Sequence, residues 1–201
     1  MTFDLHVSRE TQERLEIFAT LLKKWNRRIN LVSQSSLDNL WTRHIRDSAQ
    51  LVDLAPDSVS RWVDLGSGGG LPGLVVAIVG AERRSPFQCT LIESDTRKSA
   101  FLRTVVRETG IDARVITNRI EAAPPQMGDI VSARALADLT TLLAFAERHL
   151  NPTGRAIFPK GKNWQKEIET AQSRWQFNYK VAKSKTETGS VILSVTGVSR
   201  A

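Results

Sequence analysis

The chain has 201 residues, 41% hydrophobic and 24% charged, with a net charge of +7 and one cysteine. That composition describes a globular chain with one core and at most a small appendage, and it excludes a disulfide framework and a bilayer span. The basic balance suits a nucleic-acid partner through counterion release, or a solvated cationic surface with no such partner.

The opening MTFDLHVSRE carries charge early and has no apolar signal core, which predicts a cytoplasmic protein. From Ser8 to about Asn30, Leu15, Phe18, Leu22, Trp25 and Ile29 recur at spacings of three and four, predicting a helix with one apolar face. Lys24, Arg27 and Arg28 lie opposite, beside Lys23, as a solvated face. Ser35 and Asp38 fit a capping box for a second helix, with Leu37, Leu40, Trp41, His44, Ile45, Leu51 and Val52 in one stripe. His44 on that stripe reads as a packing histidine, and Arg43 and Asp47, four apart, as a surface pair. Residues 1–58 are thus expected to form an N-terminal helical extension, and 59–201 the main domain.

From Arg61 the pattern alternates. Strands RWVDLG, CTLIE, ARVITN, DIVSARA and RAIFPKG are interleaved with helices from Pro72, over Thr96–Thr109, from Asp138 to His149, and from Trp164 to Trp175. Cys89 begins the second strand and reads as a small buried side chain. FNYKVAKSK and SVILSVTGV flank Glu187-Thr188-Gly189 as a hairpin. The expectation is an α/β fold with a mostly parallel central sheet and a C-terminal antiparallel hairpin.

The loop DLGSGGGLPG, Asp64 to Gly73, demands a ligand that approaches the backbone closely. Gly73 is followed by Leu74-Val75 rather than Lys-Ser or Lys-Thr, so a P-loop is excluded. Gly68, Gly70 and Gly73 satisfy the dinucleotide spacing, and Glu93 ends the next strand where an acid can bind a ribose diol. Those features specify a nucleoside and leave a reductase open. Asp64 disfavours a nearby pyrophosphate and favours a cationic ligand, which points to S-adenosyl-L-methionine.

Absent residues narrow the transfer chemistry. Cys89 lies away from the carboxyl ends of the strands, so a cysteine nucleophile is not at hand. After the fourth strand stands Ser132-Ala133-Arg134-Ala135, neither an Asn/Asp-Pro-Pro-aromatic turn nor a Lys–Asp pair. What remains is an acceptor with an exposed lone pair, such as ring nitrogen 7 of guanine, which needs alignment rather than a base. A protein or small-molecule acceptor also stays open.

The stretches NLVSQSSLDNLWTRHIRDSAQL, VDLGSGGGLPGLVVAIV, LIESDTRKSAFLR, NRIEA, SARALADL and FPKGKNWQKEI occur in that order. Together, from Asn30 to Ile168, they resemble the bacterial RsmG (GidB) family of 16S rRNA guanine N-7 methyltransferases. The resemblance implies a Rossmann-like class I S-adenosylmethionine-dependent methyltransferase fold. It implies a guanine in the 530 loop of 16S rRNA as target, naked or within the small ribosomal subunit. A monomer with no metal and no membrane association is expected. Gly66, Ser67, Gly68, Gly70, Leu71, Glu93, Ile120, Glu121 and Arg134 are then expected at the cofactor. Arg134, Lys160, Arg43 and Arg46 are expected toward the RNA, with Arg134 positioning the reactants and no acid–base residue assigned. The family often carries phenylalanine where this chain has Leu71.

Overall fold

A computed structural model describes residues 5–84 and 87–201. The first four residues, part of the charged start discussed above, lie outside the described residues. The sheet has seven strands in the order β3-β2-β1-β4-β5-β7-β6. These are β1 (Arg61–Leu65), β2 (Gln88–Glu93), β3 (Ala113–Thr117), β4 (Gly128–Ser132), β5 (Leu150–Lys160), β6 (Trp175–Lys183) and β7 (Val191–Arg200). β1 to β5 pair in parallel, while β7 pairs antiparallel with both β5 and β6. The expected α/β sheet with its terminal hairpin is present.

β1 runs outward through β2 to β3, and β4 runs the other way to β5, so the chain reverses between β1 and β4. Such a reversal leaves a crevice at the carboxyl ends of the two strands. α4 (Gly73–Arg83), α5 (Thr96–Thr109), α6 (Leu139–His149) and α7 (Trp164–Gln172) cover the sheet faces. α5 starts where Asp95 accepts the amides of Arg97 and Lys98, and ends at Gly110 in the left-handed region with φ 63°. Asp138 caps α6 in the same way through Thr141 N.

α1 (Arg9–Asn26) is shorter than its periodicity suggested. Asn26 Oδ1 accepts the amides of both Leu31 and Val32 at 2.9 Å, turning the chain back early. The second expected helix is broken into three. α2 (Gln34–Leu37) is preceded by Ser33, and Ser35 lies inside it, so the capping box does not form. A π-helical segment, Trp41–Arg46, follows and runs into α3 (Asp47–Asp53). Pro72 caps α4 rather than opening it, and α7 stops at Gln172 because Trp175 is buried as the first residue of β6.

Apolar side chains bury on both sheet faces. One cluster joins Leu15, Phe18 and Leu22 of α1 to Trp62, Ile78 and Phe101. It therefore crosses the expected boundary near residue 58. The other joins Val63 and Phe158 to Leu143, Ile168 and Trp175. Among the described residues no helix is long and apolar enough to cross a membrane.

Phe101 links the extension to the sheet, with ring centroids 6.5 Å from Phe18 and 5.7 Å from Trp25. Phe101→Ala should lower stability by about 3–5 kcal/mol through lost burial and a cavity. Urea denaturation checks this; a change under about 1 kcal/mol would show that α1 packs independently of α5.

Candidate functional site

The glycine loop follows β1 directly. Gly66, Gly68 and Gly70 have φ of 62°, 51° and 79°, a region that L side chains rarely occupy. A Cβ on Gly66 would strike Leu136 at 2.6 Å, whereas one on Gly68 would meet only Gly66 O at 3.7 Å. The loop thus packs tightly on one side and stays open on the other. Ser67 N donates to Ile92 O at 3.0 Å and Gly68 N to Glu93 Oε2 at 2.8 Å, so β2 fixes the loop's shape.

Two cavities open onto it. The smaller, about 400 Å³, is lined by Glu93, Ser94, Asn118, Ile120 and Glu121. The larger, about 660 Å³, is lined by Ser67, Leu71, Arg43, His44, Asp47 and Lys160 among others. Gly66, Gly68, Arg134, Ala135 and Ala137 line both. Ala135 has φ 52°, a strained conformation for a non-glycine residue, held where the cavities join.

The structure thus brings Gly66, Ser67, Gly68, Leu71, Glu93, Ile120, Glu121, Arg134, Lys160 and Arg43 to one crevice. Gly70 shapes the loop but lines neither cavity, and exposed Arg46 lines neither. Glu93 has prior engagements: Oε2 holds Gly68 N, and Oε1 accepts Asp95 N at 2.8 Å. A carboxylate has about four acceptor sites, so part of its capacity still faces the cavity. Lys160 is largely buried and donates to Glu167 Oε2 at 2.6 Å and Ala137 O at 3.0 Å, in place of an extended arm toward phosphate.

Two expectations are corrected, and a third residue lies elsewhere than its charge alone would suggest. Arg43 and Asp47 do not pair, because the π-helical segment abolishes the α-helical spacing assumed between them. Arg43 faces Glu187 at 3.6 Å. Asp47 turns to Arg134 NH1 at 3.3 Å and Thr186 Oγ1 at 2.6 Å. His44 is no packing histidine: it lines the larger cavity, and its Nδ1 lies 3.0 Å from Arg134 NH2. Arginine only donates, so Nδ1 accepts and Nε2 carries the proton. Burial, then the Arg134 cation, pulls His44 down to about 4, leaving it neutral at pH 7. Asp64, whose charge is expected to favour a cationic ligand, lines neither cavity and is wholly buried behind the loop.

Asp47 is the residue that sequence reasoning missed. One carboxylate ties α3 to the turn after β4 and to the β6–β7 turn, and Gln50 Nε2 donates to the same Oδ1 at 2.9 Å. Arg134 is thereby aimed by the N-terminal extension.

A family profile described as rRNA small subunit methyltransferase G (GidB) matches residues 11–193. The chain is 56% identical to the ribosomal RNA small subunit methyltransferase G of Ruegeria sp. (strain TM1040), over 98% of this chain and 96% of that protein. The chain belongs to the rRNA small subunit methyltransferase G family. Solved structures extend the likeness at the level of fold. A methyltransferase from Geobacter sulfurreducens superposes with a TM-score of 0.62 at 15% identity, over 94% of this chain and 96% of that one. A SAM dependent methyltransferase from Aquifex aeolicus gives 0.60 at 11% identity, over 89% and 98%. In this member of the family the glycine loop, Glu93 and Arg134 stand around a single crevice.

Asp64 gives the site a measurable signature. Burial pushes its carboxyl up to about 6 from an ordinary 3.8, against the pull of the Ser132 hydrogen bond at 2.7 Å. Between those values the folded chain keeps a proton that the unfolded chain has lost, so stability falls as pH rises through the window. Asp64→Asn has no proton to lose. Its stability relative to wild type should rise by about 3 kcal/mol across that range and stay flat above it. Urea denaturation from pH 4 to 8 reads this; a difference independent of pH would contradict the assignment.

Proposed function

We propose that this protein transfers a methyl group from S-adenosylmethionine to ring nitrogen 7 of a guanine in the 530 loop of 16S rRNA. The observation that carries the reading is the junction of two cavities at Arg134 and Ala135 in an rRNA small subunit methyltransferase G. One cavity has the size and polar wall for a nucleoside, the other room for a base.

S-adenosylmethionine supplies, when bound, a methyl group activated by a sulfonium. The chain's residues fit such a donor. Gly68 leaves open space beside its backbone, and Glu93, Ile120 and Glu121 line the smaller cavity. Asp64 lies behind the loop and is mostly ionised at pH 7, so its buried charge favours a cation in front of it.

Guanine N7 already exposes its lone pair, and no proton leaves when a methyl arrives. The site therefore needs alignment, which is worth roughly 7–11 kcal/mol when two reactants are held in line. Arg134 is suited to this. It lines both cavities, and His44 Nδ1, Asp47 and the Arg43 carbonyl hold its guanidinium. His44 stays neutral and adds no positive charge where the purine becomes cationic.

The wider surface supports an RNA partner. Exposed Lys23, Lys24, Arg27 and Arg28 lie shortly before Leu31 and Val32, which line the larger cavity. Phosphate contacts there make binding fall steeply with salt. The same reading takes the protein as a monomer acting in the cytoplasm, where ribosomal RNA is made.

Incubation with methyl-labelled donor and 16S rRNA, free and in partly assembled subunits, tests the reading; label is expected on one guanine N7. Label confined to protein or small molecules would overturn it. Arg134→Ala should cut turnover by about 100-fold or more, because misaligned reactants forfeit that much. Its urea transition should move by no more than about 2 kcal/mol. Unchanged turnover would remove Arg134 from the site.

A further inference from the structure

One wall of the larger cavity carries a charge pair that methyl transfer itself does not use. Lys160 ends β5, and Glu167 lies in the first turn of α7. Lys160 Nζ meets Glu167 Oε2 at 2.6 Å. The same Nζ donates to Ala137 O at 3.0 Å, and the same Oε2 accepts Leu139 N at 2.9 Å. Every bracing contact thus passes through Nζ and Oε2. An ammonium has three N–H groups and a carboxylate two oxygens. One N–H of Lys160 and the whole of Glu167 Oε1 have no partner among the described residues. Both residues line the cavity, and their side chains are 7% and 27% exposed. Partly desolvated charges are costly to keep unless something uses them.

We infer that this pair reads the Watson–Crick edge of the target guanine. Lys160 donates to O6, and Glu167 Oε1 accepts from N1–H and the 2-amino group. The inference rests on the proposed function above. A donor beside a carboxylate oxygen matches the guanine edge of one acceptor followed by two donors. Adenine and cytosine present an amino group to the ammonium and a bare ring nitrogen to the carboxylate, which leaves a charge unpaired on each side. Uracil matches at O4 and N3–H but offers a carbonyl where guanine has its amine. The arrangement also orients the base. O6 neighbours N7 on the ring, and Lys160 is bonded to Ala137, which lines both cavities. An O6 held at Lys160 keeps N7 toward their junction.

The test uses 16S rRNA carrying inosine, which lacks the 2-amino group, in place of the methylated guanine. Wild-type kcat/KM should drop about 10-fold or more on inosine, the usual loss for a hydrogen bond to a charged group. Glu167→Gln retains an oxygen for Lys160 and Leu139. Its affinity for S-adenosylhomocysteine by calorimetry should therefore stay near wild type, while its guanine-over-inosine ratio collapses to about two-fold or less. Wild-type enzyme that methylates inosine as well as guanine would overturn the inference without any variant. So would Glu167→Gln that keeps the wild-type ratio; the pair would then only brace the fold, and the methyl-transfer reading would stand. Wild-type enzyme that labels no guanine N7 in unmodified 16S rRNA would remove the proposed function and this inference together.

Discussion

The ends of β1 and β4 are pinned by a buried hydrogen bond, Ser132 Oγ to Asp64 Oδ1 at 2.7 Å. The two residues are register partners across the parallel pair, and Trp62 Nε1 donates to the same hydroxyl at 2.8 Å. The glycine loop leaves β1 just beyond this bond, and Arg134 leaves β4 two residues after it. Both halves of the crevice are therefore referenced to one buried contact at the chain's reversal point. Asp64 bears the cost: it is wholly buried, and its Oδ2 has no hydrogen-bond partner among the described residues. A charge kept in such a place stabilises the fold poorly, but it sets the electrostatic potential behind the loop.

The chain's two ends complete what the sheet begins. The ends of β1 to β4, the loops that follow them and α5 and α6 supply the smaller cavity. The larger one needs Leu31 to Asp47 on one side and the β6–β7 turn, with Ser184 and Glu187, on the other. Asp47 joins these additions to Arg134. Lys185 strengthens the join, with its amide on Gln50 Oε1 at 3.0 Å and its ammonium on Asp53 at 3.1 Å. The smaller cavity thus rests on the sheet's strand ends and flanking helices, and the larger one draws on both terminal segments as well.

Much of the fold was legible because its signals are local. Alternating runs and runs at spacings of three and four separate strands from helices, and the glycines mark where φ must turn positive. Residues at the ends of the parallel strands line the crevice, since topology puts all those ends on one side. The π-helical segment was not legible, because its apolar spacing fits an α-helix nearly as well. The Asp47–Arg134 contact spans 87 residues and leaves no local pattern. The burial of Asp64 was hidden for a related reason. Its charge says what sign of ligand it favours but not where it sits; β1 is buried from Trp62 to Leu65, so the carboxylate lies behind the loop.

The central claim is that donor and acceptor occupy two joined cavities and meet at Arg134 and Ala135. A crystal structure with S-adenosylhomocysteine and guanosine monophosphate measures this most directly. The account predicts the adenosine between Glu93 and Glu121, the guanine beside Lys160, and N7 facing the sulfur across the junction. A guanine seated outside the larger cavity, or a nucleoside bound away from the glycine loop, would contradict it.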